Sequence, residues 1–294
     1  MLLDNAVWSW CQKNNKQFYS TSITSYKPSL GDSYKKPIDI AIETVKDIAL
    51  TMTPPFTLFL SGGIDSQAML YAWHRSKIPY KALCYEYIDN ERTVYNYHDI
   101  KHLKPFAEKY KIPITYCEQN LVDFLENKLD DYAEKYQCSS PQICNYMNMI
   151  DQVPEGTVLL SGNFIMKNIV PLNYTLLGLE RYRIGSQRSV IPFFFLTTTR
   201  LAYSFNSIAE RFVNESDSYR LRYLTYRAAG FPVVPQEKKY SGFEGIKQRY
   251  ENTLPKKLRL KYSKKLNTID FDIRFRYPYE DKFGYNDELL ININ

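Results

Sequence analysis

The chain has 294 residues, of which 44% are hydrophobic and 24% charged, with a formal net charge of +6 at pH 7. These are the proportions of a globular protein long enough for one large core or a domain with an appendage, and a charge of this size suits a polyanionic partner or a small phosphorylated ligand alike. No run approaches the roughly 18 to 20 apolar residues that cross a bilayer, and the start, with Asp4 and Asn5 before Trp8 and Trp10, lacks the basic head and apolar middle of a secretory leader.

Cys11, Cys84, Cys117, Cys138 and Cys144 are odd in number and contain no Cys-x-x-Cys pair, which points to a reduced, cytoplasmic setting without zinc or disulfides. The first 36 residues are weakly periodic and then polar, and are expected to form an arm on the main domain. Pro37 to Leu50 reads as a helix with proline in its first turn and one apolar face.

Phe56 to Leu70 then reads as strand, tight loop and helix. Gly62 and Gly63 let the backbone approach a ligand closely, and the first turn of the helix that follows offers unpaired N–H groups and a positive dipole end to an anion. Ser61 and Ser66 add hydroxyls. Asp65 places a carboxylate among them, which would repel phosphate unless a cation lay between, so the combination points to Mg²⁺-pyrophosphate.

Ser61-Gly62-Gly63-Ile64-Asp65-Ser66 resembles the SGGxDS loop, or PP-loop, of the N-type ATP pyrophosphatases, a family that includes asparagine synthetase, GMP synthetase, NAD synthetase and the tRNA lysidine and thiolation enzymes. No Gly-Lys-Ser/Thr closes it, so it is not a Walker A loop. The resemblance implies ATP and Mg²⁺ as cofactors, with Ser61, Gly62, Gly63, Asp65 and Ser66 on the nucleotide and Asp65 also on the metal. Loop carboxylates are seldom core, so loss of Asp65 is expected to abolish turnover and leave the fold intact.

Beyond the loop helix, which is expected to end near Arg75, Lys81 to Tyr87 reads as a second strand, Thr93 to Tyr110 as a helix, Ile112 to Cys117 as a third strand, Leu121 to Tyr136 as one helix, and Thr157 to Asn163 as a fourth strand. Such alternation implies βαβ units: an α/β, Rossmann-like parallel sheet with helices on both faces, of the adenine nucleotide alpha hydrolase type by resemblance. Ligands of such sheets bind at the carboxyl ends of strands. The resemblance implies that residues ending the second strand flank the adenosine, which makes Tyr85, Glu86 and Tyr87 candidates for adenine or ribose contacts.

After the fourth strand, asparagine synthetases carry Gly-x-Gly-Ala-Asp-Glu, whereas this chain reads Ser161-Gly162-Asn163-Phe164-Ile165-Met166-Lys167. Gly162 is kept and the acidic pair is missing, so a second metal carboxylate must come from elsewhere. Lys167 is a candidate for neutralising charge on leaving pyrophosphate. Arg181 to Phe212 turns helical and aromatic, and Tyr219 to Ala229 is a helix stopped by Gly230 and Pro232.

Lys238 and Lys239 lie in a loop similar to the basic segment late in the asparagine synthetase ATP domain, and are candidates to close over phosphates. Lys256, Lys257, Arg259, Lys261, Lys264 and Lys265 cluster in the tail, more simply a solvated helix face than a nucleic-acid patch. Phe271 to Tyr277 alternates like an edge strand. Three parts are expected: the arm at 1–36, an ATP pyrophosphatase domain at 37–230, and a helical, basic C-terminal extension at 231–294.

The resemblance lies nearest the asparagine synthetase synthase domain. The N-terminal cysteine and glutaminase domain are missing, so ammonia would be free or supplied by a separate glutaminase. The expected activity is an AMP- and pyrophosphate-forming ligase that adenylates a carboxylate or amide oxygen of a small molecule. The alternatives are a PP-loop enzyme modifying a nucleobase in tRNA or DNA, by chemistry like that of deazaguanine nitrile synthases or lysidine synthetases, and a nucleotide-binding protein that has lost turnover.

Overall fold

A computed structural model of the chain describes residues 35–136, 138, 141–162, 178–179, 181–183, 185–212, 214–235, 242, 243 and 246. All of the expected arm but Lys35 and Lys36, the basic tail and the edge strand at 271–277 lie outside the described residues. Five parallel strands form one sheet: β1 (Phe56–Leu60), β2 (Lys81–Ile88), β3 (Thr115–Asn120), β4 (Thr157–Leu160) and β5 (Ser189–Ile191), in the order β3-β2-β1-β4-β5. The chain builds outward from β1 through β2 to β3, then returns to place β4 on the other side of β1. That reversal opens a crevice beyond the carboxyl ends of β1 and β4, where doubly wound sheets bind ligands.

The helices are α1 (Pro37–Thr51), α2 (Ile64–Ser76), α3 (Tyr97–Tyr110), α4 (Leu121–Asn127), α5 (Leu129–Tyr136), α6 (Pro141–Asp151), α7 (Thr199–Ala209) and α8 (Ser218–Ala228). Strand alternation distributes the core between the two faces of the sheet. Leu58 and Leu60 of β1, Cys84 of β2 and Leu159 of β4 join one cluster, packed with residues of α1, α2, α3 and α7. Phe59, Tyr85, Tyr87 and Val158 point the other way, into a cluster with residues of α4, α5 and α6. All five residues of β1 are buried, as its central position requires.

Several boundaries differ from those the sequence suggests, each for a local reason. Pro113 cannot donate to a ladder, and β3 pairs with β2 only from Thr115, extending to Asn120. The expected single helix from Leu121 to Tyr136 is two helices, which meet at Lys128, where φ −127° and ψ −26° end the first. The buried stripe of Leu121 and Leu125 continues across the break through Leu129, Ala133 and Tyr136. The stretch from Arg181 to Phe212 contains β5, whose three residues are too few to show a period, and a 3₁₀ turn at Phe194–Leu196 before α7. α6 was not expected from the sequence. Among the described residues no helix is long and apolar enough to cross a membrane.

Candidate active site

The loop between β1 and α2 is set by its glycines. Gly62 has φ +88°, and a Cβ added there would lie 2.4 Å from the Asp99 backbone oxygen, so the N-terminal turn of α3 packs directly on the loop. Gly63 is the extended N-cap residue of α2. Ser66 Oγ lies 3.0 Å from Ser61 Oγ and 3.4 Å from Ser161 Oγ, gathering three hydroxyls from the loop, α2 and the end of β4. The Ser61 N–H donates to Ser66 Oγ at 3.1 Å. Gln67 braces the arrangement from beneath: its Nε2 donates to the Gly62 carbonyl at 3.1 Å, and its Oε1 accepts from the Val234 N–H at 2.9 Å.

Asp65 is held by α8. Arg222 Nη1 donates to Asp65 Oδ2 at 2.7 Å, and the Tyr226 hydroxyl, one helical turn on, donates to Oδ1 at 2.8 Å. The side chains of Arg222 and Asp65 are 14% and 7% exposed. Burial, and then the neighbouring Asp65 charge, push the Tyr226 phenol well above its ordinary pKa, so it remains a donor. The expectation that Asp65 is dispensable to the fold is thereby corrected, since a buried guanidinium depends on it.

Asp217 starts α8, its Oδ1 accepting from the N–H groups of Tyr219 at 2.8 Å and Arg220 at 3.3 Å. Asp217→Ala is expected to lower stability by about 1 kcal/mol, the usual loss for an N-cap, measured as a shift in urea midpoint. The same substitution should leave the protein foldable, so any effect on ligand binding reports the position of α8.

A cavity of about 440 Å³ opens at the carboxyl ends of β1 and β4 and is lined by Ser61, Asp65, Ser66, Ser161, Gly162 and Arg222, together with aromatic groups that include Tyr85 and Tyr87. Burial raises the Tyr85 hydroxyl to about 12 and Tyr87 well above its ordinary range, so both stay protonated. Asn96 ties this wall together, its Oδ1 accepting from the Tyr87 N–H and its Nδ2 donating to the Tyr85 carbonyl, both at 2.8 Å. Glu86 does not line the cavity, because strand alternation turns it away from Tyr85 and Tyr87. Gly162 has φ +59° and abuts Phe193, where a Cβ would lie 2.0 Å from the ring.

Of the residues expected from the sequence, the structure brings Ser61, Gly62, Gly63, Asp65, Ser66, Tyr85, Tyr87 and Gly162 to one region. Lys167, Lys238 and Lys239 lie outside the described residues. Arg222, Tyr226, Gln67 and Asn96 were not singled out in the sequence, and Ser161 was noted there only within the segment that ends the fourth strand. Among the described residues no group of three or more His, Cys, Asp or Glu could hold a metal. Both Asp65 oxygens are taken, by Arg222 and Tyr226, so a Mg²⁺ ion arriving with phosphate oxygens would have to share this carboxylate with them.

No protein-family model matches the chain. No curated protein sequence matches it either. Among solved structures, the chain is similar to the U34-tRNA thiolase NcsA from Methanococcus maripaludis with its [4Fe-4S] cluster, at TM-score 0.38 and 16% identity over 81% of this chain and 82% of that one. It is also similar to the glutamine-dependent NAD⁺ synthetase from Acinetobacter baumannii in complex with ADP, at TM-score 0.35 and 14% identity over 86% of this chain. The match spans 48% of the synthetase's own length. Likeness of this degree says nothing of what the present chain does.

Proposed function

We propose that this chain is an ATP-using enzyme of the PP-loop type that forms AMP and pyrophosphate, and that it adenylates a carboxylate or amide oxygen of a small molecule. The observation that carries the reading is the Ser61–Ser66 loop itself. Its hydroxyls and the first turn of α2 converge with Asp65 at the sheet's crevice.

In the proposed reaction a substrate oxygen attacks the α-phosphorus of ATP, the bond from that phosphorus to the bridging oxygen breaks, and pyrophosphate leaves. A nitrogen nucleophile, from free ammonia or a separate glutaminase, then attacks the activated carbon and AMP departs with the oxygen. A Mg²⁺ ion, when bound, would neutralise charge on the phosphates. The protein's part is to stabilise charge developing on the β-phosphate through the N–H groups of α2 and the Ser61 and Ser66 hydroxyls, without a side-chain nucleophile.

Tyr85 and Tyr87 offer apolar faces and neutral hydroxyls for the adenosine or the acceptor. Lys167, Lys238 and Lys239 are proposed to neutralise the leaving pyrophosphate.

Product analysis tests the reading. Incubation with ATP, Mg²⁺, ammonia and a panel of carboxylic acids and amides should release AMP and pyrophosphate in equal amounts. ADP and phosphate as products would overturn it. Tight, sequence-selective binding of tRNA or DNA, abolished by Lys256→Glu, Lys257→Glu and Lys261→Glu together, would replace the small-molecule acceptor by a nucleobase.

A further inference from the structure

We propose that Arg222 is a phosphate-binding residue held in reserve on Asp65, and that this pair makes cation binding and polyphosphate binding mutually dependent. The inference rests on reading the Ser61–Ser66 loop as a pyrophosphate site and assigns that site a residue from the far end of the chain. Arg222 lines the same cavity as Ser61, Ser66 and Ser161. A guanidinium carries five N–H donors in a planar fork. Its Nη1 goes to Asp65 Oδ2 at 2.7 Å, and its carbon lies 5.8 Å from the centroid of the Tyr219 ring, a contact that steadies the group's plane.

The pair is electrically neutral and mostly buried, which determines how the site meets its ligands. A polyphosphate offered alone gains Arg222 only by parting it from Asp65, leaving an uncompensated carboxylate beside the incoming anion. A cation offered alone draws on Asp65 and strands the guanidinium. Breaking a buried pair from one side is strongly unfavourable. When both ligands arrive, Asp65 turns its Oδ2 to the cation while Arg222 turns its fork to the phosphates. Tyr226, on Oδ1 at 2.8 Å, keeps the carboxylate in place through the exchange. The coupling is reciprocal by necessity: whatever factor the cation adds to polyphosphate affinity, the polyphosphate adds to cation affinity.

Calorimetric titration of the full chain with Mg²⁺ alone, inorganic pyrophosphate alone in chelator, and each in the presence of the other tests this, after correction for Mg²⁺-pyrophosphate association in solution. In the wild type each ligand is expected to raise the affinity of the other by about tenfold or more, within the usual range of coupling. In Arg222→Gln, Mg²⁺ alone should bind more tightly because Asp65 is released, pyrophosphate should bind more weakly, and the coupling should fall away. Arg222→Lys should recover part of the pyrophosphate affinity. Should Arg222→Gln fold poorly, the double variant Asp65→Asn/Arg222→Gln removes both charges, and it is expected to bind pyrophosphate without any response to Mg²⁺.

Unchanged pyrophosphate affinity and coupling in folded Arg222→Gln would overturn the proposal while leaving the loop's reading intact, as would weaker Mg²⁺ binding, the mark of a purely structural pair. A wild type that binds no pyrophosphate with or without Mg²⁺ would overturn the loop's reading and this proposal together.

Discussion

Asp65→Asn is expected to abolish Mg²⁺-dependent turnover and, in the same step, to lower the stability of the protein by about 3–5 kcal/mol, the usual consequence of removing one partner from a buried ion pair. The two effects have different origins. Turnover is lost because the loop's carboxylate is gone, whereas stability is lost because Arg222, only 14% exposed, keeps its charge without a counter-charge. They can therefore be separated. Asp65→Asn/Arg222→Gln removes both charges and should recover most of the stability, since neutral replacement of a whole buried pair is often tolerated. It should recover none of the turnover. Chemical denaturation of the wild type and both variants gives the first comparison, and release of AMP gives the second. Wild-type turnover in either variant would refute the role assigned to Asp65.

Gly62→Ala should disable the loop without removing any polar side chain of the site. At φ +88° a side chain is strained by about 1–2 kcal/mol. The added Cβ would also meet the Asp99 backbone, with its oxygen at 2.4 Å and its carbonyl carbon at 2.7 Å. Neither atom is the free end of a side chain, so α3 or the loop must move, at a further cost of about 1–3 kcal/mol. The loop N–H groups would then be displaced from any phosphate they contact. Urea midpoints and pyrophosphate titration should show both losses, and normal affinity in the variant would mean that the loop's backbone geometry does not matter to binding.

How much of this was legible in the sequence depended on range. The strand-loop-helix around Ser61 and the parallel alternation of strands and helices were readable because each is signalled within about a dozen residues by glycines, apolar runs and helical spacing. Arg222 and Tyr226 were not, since they reach Asp65 across 157 and 161 residues, and in the sequence they are simply two members of a polar-faced helix. Asp99 matters to the loop through its backbone carbonyl, which no side-chain pattern reveals. The burial of Asp65 belongs to the same class, because a carboxylate after two glycines looks solvent-facing until α8 is packed over it.

Competition between ATP and its two parts tests most directly whether the Ser61–Ser66 loop grips pyrophosphate. In the presence of Mg²⁺, a fluorescent ATP analogue bound to the wild-type chain should be displaced by ATP and by inorganic pyrophosphate, while AMP should need a concentration about tenfold higher or more, a difference of roughly 1.4 kcal/mol. In Asp65→Asn that preference for ATP over AMP should no longer depend on Mg²⁺. Displacement by AMP as readily as by ATP, with pyrophosphate without effect, would place recognition on the nucleoside alone and contradict the account.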